Sequence, residues 1–230
     1  MINNFPKGIE LFVFDMAGTT VDETFAVHDA LIAAFASVGK NITRNQANLS
    51  VGVPKPLGIE SILIAFFEPA SSDEVYKLHN KFLENINKYY LEKQIQPTEG
   101  TLELFQALRS KGIKIMLDTG FSSTTADIII QRLGWEALID GRVCSDEVPN
   151  GRPHPDMIYQ AMEQCGIQHP NHVVKVGDTP VDIQQGKNAN CAYIIAVDAG
   201  TFPKDSLEAE NPDLIVKKLN EIIPLIEAHV

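Results

Sequence analysis

The chain has 230 residues, 44% hydrophobic and 21% charged, a composition that suits one core with an insertion or two modest domains and excludes a disordered chain. Its net charge of −11, with no cluster of Lys and Arg to offset it, disfavours a nucleic-acid partner. Three cysteines without CxxC spacing, no apolar run near the roughly 18 residues of a membrane helix and no signal-peptide core predict a cytoplasmic protein that does not bind a membrane.

Four short apolar runs predict strands that are buried on both faces of a parallel sheet. They cover residues 10–14, 113–117, 173–176 and 193–197, and each ends in a polar or glycine-bearing turn. Helical patterns at 101–109, 124–133 and 155–165 lie between them. This alternation predicts an α/β fold with a Rossmann-like parallel sheet, which binds ligands at the carboxyl ends of its strands.

The stretch between the first strand and the next strand–helix unit breaks the alternation. Residues 25–38, 57–67 and 74–91 have apolar residues at helical spacing, and no convincing strand separates them. A structureless loop of this length would be unusual. We therefore expect a core of residues 1–22 and 95–230 with an inserted helical cap at 23–94, hinged near Asp22-Glu23 and near 96–100.

The first polar turn carries a candidate catalytic acid. Asp15 follows the first strand directly and precedes Gly18-Thr19-Thr20. Small residues at such a turn let backbone N–H groups approach a phosphate closely. An aspartate in this position alone would more often stabilise a turn.

Two later turns offer groups that could bind a phosphate. Thr119-Gly120 follows the second predicted strand and provides a hydroxyl and backbone amides. Arg152 lies between Gly151 and the segment Pro153-His154-Pro155, which restrains the backbone before a predicted helix. A cation in such a place can neutralise a phosphoryl oxygen, although a surface arginine in a stiff loop would have the same sequence.

The third strand ends in a pair of carboxylates. Asp178 and Asp182 are four residues apart at the start of a predicted helix, which places them on one face of it. Mg²⁺ prefers oxygen ligands and few protein groups, so the pair is a candidate metal site. Helix capping is the alternative explanation.

In this order and these strand contexts, the four sites resemble the haloacid dehalogenase superfamily of phosphohydrolases. The resemblance covers nearly the whole chain and is weakest across the helical insertion. It implies that Asp15 attacks phosphorus. The phosphoryl-binding groups that it implies are Thr119, Gly120, Arg152 and the backbone at Ala17 and Gly18. The magnesium ligands that it implies are Asp15, the main-chain carbonyl of Ala17 and Asp178, with Asp182 as a helper.

Ala17 points to one branch of this superfamily. Ordinary phosphatases of the superfamily have a second aspartate there that protonates the leaving alcohol, and its absence would cost an ester roughly 10²–10⁴-fold in rate. The runs at 15–22 and 151–155 resemble those of the phosphonoacetaldehyde hydrolases, or phosphonatases, which have alanine at this position. In that branch a cap lysine forms a Schiff base with the substrate aldehyde, and the iminium accepts the electrons of the breaking C–P bond.

Lys55 matches that lysine by its spacing in Gly52-Val53-Pro54-Lys55. Pro56 is a favourable early helical residue, so we expect Lys55 at a helix N-terminus, where the dipole opposes positive charge. Two positions differ from the branch. The histidine three residues after its lysine is Gly58 here, and its tyrosine after the second motif's glycine is Phe121.

The sequence thus predicts a magnesium-dependent hydrolase of a small phosphonate or phosphate metabolite, with phosphonatase-like C–P cleavage favoured. The resemblance also implies a homodimer formed through the cap. One alternative is a phosphomonoester phosphatase of the same superfamily, similar to the phosphoglycolate phosphatases. The other is a catalytically idle binding protein, against which the set Asp15, Thr119, Arg152 and Asp178 argues.

Overall fold

A computed structural model describes residues 5–22, 25–68 and 71–229. Its centre is a six-stranded parallel sheet in the order β3-β2-β1-β4-β5-β6. The strands are β1 (Leu11–Asp15), β2 (Lys114–Thr119), β3 (Gly141–Cys144), β4 (Val173–Gly177), β5 (Tyr193–Val197) and β6 (Leu214–Val216). Every residue of β1 and β4 is buried, as continuous apolar runs in a sheet covered on both faces require. The predicted α/β class is confirmed.

The helices fall into two groups along the chain. Between β1 and the rest of the sheet lie α1 (Ala26–Ala36), α2 (Arg44–Ala47), α3 (Lys55–Phe66) and α4 (Ser72–Glu92). The remaining helices alternate with the strands: α5 (Thr101–Ser110), α6 (Ser123–Leu133), α7 (Asp156–Cys165), α8 (Pro180–Asn188), α9 (Lys204–Ala209) and α10 (Ile223–His229). None of the helices in the described ranges is long and apolar enough to cross a bilayer. The predicted helical insertion after the first strand is therefore present.

Two strands were absent from the prediction, and both lie at the edges of the sheet. β3 begins Gly-Arg and β6 has three residues, so neither forms a long apolar run. Short, partly solvated edge strands of this kind give weak signals because only one side is hydrogen-bonded and the faces are incompletely covered. In β3, Arg142 pairs with Asp127 at 2.8 Å and with Glu147, which accounts for a charged residue in a strand.

The insertion is held together by one amphipathic helix. The buried residues of α4 recur every four positions, at Leu78, Phe82, Ile86 and Tyr90, and this face packs on α1 and α3. The end of α4 is fixed to α6 because Arg132 donates to the Tyr90 carbonyl at 2.6 Å and to two further carbonyls close by. The insertion is therefore anchored to the core by a capped helix end.

The two passages between core and insertion run side by side. The Asp22 amide donates to the Gln96 carbonyl at 3.0 Å, and the Thr98 amide donates to the Thr20 carbonyl at 3.0 Å. Of the first predicted hinge, Asp22-Glu23, Glu23 lies outside the described residues. The second predicted hinge overlaps the paired segment at Gln96 and Thr98.

Gly58 controls how α3 packs on the 3-10 turn Asn48–Ser50. A Cβ at this position would lie 2.4 Å from the Ser50 Cα, a backbone atom that cannot move aside freely.

We expect Gly58→Ala to destabilise the protein by about 1–3 kcal/mol, although alanine itself favours helix. Urea denaturation would measure this. Ser61→Ala, on the exposed face of the same helix, is the matched control and should be near neutral; equal midpoints for the two variants would contradict the packing argument.

Candidate active site

The predicted site residues meet at the carboxyl edge of the sheet. Asp15 ends β1, Thr119 ends β2, and Asp178 follows β4 directly. Because β2 and β4 are the two neighbours of β1, these ends are adjacent. Arg152 reaches the same point from the loop between β3 and α7, just before a cis peptide bond to Pro153.

Arg152 is shared among three carboxylates. Its Nη2 lies 2.7 Å from Asp15 Oδ1 and 2.8 Å from Asp118 Oδ1, and its Nη1 lies 3.0 Å from Asp182 Oδ1. The side chain is fully enclosed, and its Nε has no hydrogen-bond partner among the described residues. A buried N–H donor without an acceptor is a place where a ligand oxygen fits.

Lys175 is the second cation of this charge cluster. It lies in the middle of β4, is fully buried, and contacts Asp118 Oδ1 and, at 3.1 Å, Asp182 Oδ1. Neither Lys175 nor Asp118 was among the predicted site residues. A signal for Lys175 was present, since a lysine inside an apolar strand requires a buried partner. The pair Arg152 and Lys175 holds the pKa of the buried Asp118 carboxyl below its usual value, although burial alone would raise it.

Asp178 is buried near Asp15 and Asp182 but is not among the acids that pair with Arg152 or Lys175. Its Oδ1 accepts from the Thr19 hydroxyl at 3.2 Å, while its Oδ2 is buried without a hydrogen-bond partner in the described part of the chain. The Gly18 backbone passes so close that a Cβ there would lie 2.3 Å from Asp178 Oδ2. Burial, together with the nearby Asp15 and Asp182 charges, raises the pKa of Asp178 well above its usual range.

Asp182 stabilises the start of α8. Its Oδ2 accepts from the Thr179 amide at 3.2 Å and the Thr179 hydroxyl at 2.5 Å, which forms a capping box. Its other oxygen is the one that faces Arg152 and Lys175. The capping role considered for this residue from the sequence is therefore present, in addition to its place in the charge cluster.

Thr119 and the loop after Asp15 provide the remaining polar groups. The Thr119 hydroxyl accepts from the Phe121 amide at 3.1 Å, so its own proton can be donated elsewhere. The Gly18 amide differs from expectation, because it donates to the Val21 carbonyl at 2.9 Å. Of the two predicted backbone donors at this turn, the Ala17 amide is the one without such a bond within the described ranges.

Lys55 is the first residue of α3 and is only 5% exposed. Its Nζ donates to the Ser50 carbonyl at 2.6 Å and to the Val53 carbonyl at 3.3 Å. It lines one small cavity together with Asp15, Thr119 and Arg152. The cavity measures about 30 Å³, room for about one water molecule, so these four residues border one small common space.

Glycines let the loop before Lys55, residues 51–54, lie against the core. A Cβ at Gly52 would lie 2.4 Å from Val181 Cγ2, and one at Gly151 would lie 2.3 Å from Pro54 Cγ. At Gly120 a Cβ would lie 3.0 Å from the Val53 carbonyl oxygen. The loop thus contacts three of the four motif regions, with no room for a side chain at any of these points.

The two departures from the phosphonatase pattern have local packing explanations. Ser50 fills the space in which a side chain at position 58 would project. Phe121 is buried against the Tyr90 ring, edge to face at 5.7 Å between centroids. Both positions are therefore occupied by groups that pack.

Residues 9–190 match the family model described as haloacid dehalogenase-like hydrolase. The chain belongs to the haloacid dehalogenase-like hydrolases. It is 30% identical over 237 residues to the phosphonoacetaldehyde hydrolase of Bacillus cereus (strain B4264), covering 95% of this chain and 86% of that protein. The predicted resemblance to this superfamily and its phosphonatase-like branch is thereby confirmed, and the protein is an enzyme.

Solved structures share the fold at lower identity. A phosphonoacetaldehyde hydrolase-like protein from Oleispira antarctica has a TM-score of 0.82 at 21% identity, covering 96% of this chain and 92% of that one. A predicted phosphoglycolate phosphatase from Haemophilus somnus 129PT has a TM-score of 0.82 at 19% identity, covering 95% and 98%. The same architecture thus occurs in proteins assigned to both reactions considered for this chain.

The buried acids make the metal-free protein sensitive to pH. Burial, opposed in part by Arg152, raises the pKa of Asp15 from 3.8 to about 6. The folded state therefore holds this proton more tightly than the unfolded state. The resulting stability is present below about pH 4 and is lost as the pH rises through 6.

In EDTA, wild type should lose about 2 kcal/mol of stability relative to Asp15→Asn between pH 4.5 and 7.5. Urea unfolding at the two pH values measures the difference. Parallel pH profiles for the two proteins would show that the Asp15 carboxyl is not raised in the folded state.

Proposed function

We propose that this enzyme hydrolyses a small phosphonate or phosphate metabolite with Asp15 as the nucleophile, and that its preferred reaction is C–P cleavage of an aldehyde-bearing phosphonate through a Schiff base on Lys55. The observation that supports this proposal is the shared cavity, since both Lys55 and Asp15 line one small space. The similarity to phosphonoacetaldehyde hydrolases supports it.

Ala17 lines that cavity beside Asp15 and carries no titratable group. An ester substrate would need a proton donor at this point to leave as an alcohol. A carbon leaving group that is conjugated to an iminium needs none, because the electrons of the C–P bond move onto the nitrogen. The combination of Ala17 and Lys55 in one cavity therefore favours a carbonyl-bearing phosphonate.

The proposed reaction begins when the Lys55 amine adds to the aldehyde and water is lost, which leaves an iminium. Arg152, the Thr119 hydroxyl and the Ala17 amide hold the phosphoryl oxygens. The Asp15 carboxylate then attacks phosphorus in line, the C–P bond breaks, and an enamine and an aspartyl-phosphate form. Water hydrolyses the aspartyl-phosphate to phosphate, and protonation and hydrolysis of the enamine release the aldehyde product and free Lys55.

The residues also fit a divalent cation. When all four are ionised, Asp15, Asp118, Asp178 and Asp182 bring four negative charges against the two positive charges of Arg152 and Lys175, and a cation would balance the remaining two. Oxygens of Asp15, Asp118 and Asp182 lie within 4.8 Å of one another, but Arg152 and Lys175 already occupy the space among them. Asp178 Oδ2 has no such partner among the described residues.

We therefore propose that Mg²⁺ is held by Asp15, Asp178 and the Ala17 carbonyl, with Asp182 in a supporting position. A bound Mg²⁺ would supply positive charge that balances the carboxylates and the phosphoryl oxygens. Residues 23–94 would act as a cap that opens to admit substrate, since the cavity as it stands has no room for a phosphoryl group.

A phosphomonoester phosphatase is the second candidate, and one contact favours it. Two carbonyls accept hydrogen bonds from Lys55 Nζ, an arrangement that suits an ammonium group. A charged Lys55 could protonate the oxygen of a departing alcohol, taking the place of the acid missing at Ala17.

The metal proposal predicts a stability effect that is independent of turnover. At pH 7.5, 10 mM Mg²⁺ should stabilise wild type by about 1–3 kcal/mol through binding to the folded state, and Asp178→Asn should lose most of this gain. The matched control is Asp146→Asn, which removes an exposed acid from a second acidic group, made by Asp146 and Glu147 with the buried Cys144. Thermal unfolding with and without Mg²⁺ is the measurement; an unchanged response in Asp178→Asn would place the ion elsewhere.

The Schiff-base proposal predicts a selective loss. Lys55→Ala should lose phosphonoacetaldehyde cleavage by about 10³-fold or more and keep hydrolysis of a simple phosphate ester within about tenfold, because the ester makes no iminium. Asp15→Asn is the control that should lose both activities.

Borohydride added during turnover should trap wild type through Lys55, as mass spectrometry of the modified peptide would show. Lys55→Arg separates the two candidate functions, since arginine keeps a charge but cannot form the iminium. Full ester activity without any phosphonate cleavage or trapping in wild type would exclude C–P hydrolysis and support the phosphatase.

A further inference from the structure

Lys175 is a buried cation that the proposed reaction leaves without a role. It lies between Val174 and Val176 in the strand, and its side chain is entirely enclosed. Burying an ammonium group is unfavourable unless carboxylates compensate it closely. Its carboxylate contacts among the described residues are Asp118 and Asp182. Neither of these acids is the nucleophile.

The carboxylates that contact Arg152 compete with a phosphoryl group for its N–H donors. Its two terminal nitrogens are within 3.0 Å of Asp15, Asp118 and Asp182. A guanidinium that is committed to three carboxylates has few N–H groups left for a phosphoryl oxygen. Lys175 contacts two of these three acids and leaves out the third, Asp15. The two cations therefore overlap on Asp118 and Asp182 alone.

We propose that Lys175 is a positioning residue that holds Asp118 and Asp182, so that Arg152 can transfer its contact from Asp15 to the phosphoryl group. This inference rests on the proposed function, since it takes Arg152 to bind that group. Without Lys175, two buried carboxylates would compete with the substrate for Arg152 and would repel the substrate's own negative charge. Asp118 is then a balancing group whose charge matters only in relation to Lys175.

Binding of inorganic phosphate in the presence of Mg²⁺, measured by titration calorimetry, tests this without knowledge of the substrate. Lys175→Met should raise the Kd for phosphate at least tenfold, since one unbalanced charge a few ångströms away has an effect of about that size or more. Asp118→Asn should bind phosphate as tightly as wild type or severalfold more tightly, because it removes a competing charge.

The double variant Lys175→Met/Asp118→Asn removes one charge of each sign and should return the Kd to within about threefold of wild type. The asparagine keeps an oxygen that can accept from Arg152. Lys114→Met is the matched control: it breaks an exposed Lys–Asp pair, Lys114 with Asp140 at 2.9 Å, on strand β2, which β1 separates from β4. Its Kd should not change.

A purely structural role for Lys175 would lower the urea midpoint of Lys175→Met and leave its Kd unchanged, which would overturn the inference. If Lys175→Met does not fold, the Kd values of Asp118→Asn and of the double variant, each compared with wild type, decide. An Asp118→Asn that binds phosphate more weakly than wild type, or a double variant more than tenfold weaker, would equally overturn it. Absence of phosphate binding by wild type would overturn the proposed function itself, which is a separate outcome.

Discussion

The structure depends on burying charged groups of both signs at the end of a parallel sheet. An isolated ion in such a place is strongly destabilising, and its partners must lie within hydrogen-bond reach to offset the cost. Here the requirement is met by two cations that come from different parts of the chain, Arg152 from a loop and Lys175 from a central strand. Their positions in turn fix Asp118 before the second motif and Asp182 in the first turn of α8.

This constraint accounts for features that would otherwise look unrelated. Lys175 interrupts a buried apolar strand because the nearby carboxylates of Asp118 and Asp182 need a positive charge to balance them. The capping box at Thr179 uses one oxygen of Asp182 and leaves the other for the cations. Asp178 lies outside this compensation, and its Oδ2 has no hydrogen-bond partner among the described residues, which supports the proposal that it binds a cation.

Much of the fold and part of the site could be predicted from the sequence because both follow from local patterns. Apolar runs mark central strands, helical periodicity marks the insertion, and polar residues at strand ends mark the ligand edge. The edge strands β3 and β6 escape this logic, since they are too short and too exposed to form a pattern. Lys175, Asp118 and the fit of Ser50 against Gly58 depend on contacts between distant segments, which no local pattern contains.

The backbone contacts at Gly52, Gly120 and Gly151 have a consequence for how the enzyme would discriminate among substrates. At these glycines the main chain of one surface lies directly against Val181, Pro54 or the Val53 carbonyl of the other, and the close packing leaves little room for adjustment without separating the two surfaces. The loop before Lys55 would therefore either pack fully against the core or not pack against it at all. Under the proposed function, a substrate with one extra methyl group beside its carbonyl would bind poorly because it would hold the insertion away from the core, even though no group in the cavity repels it.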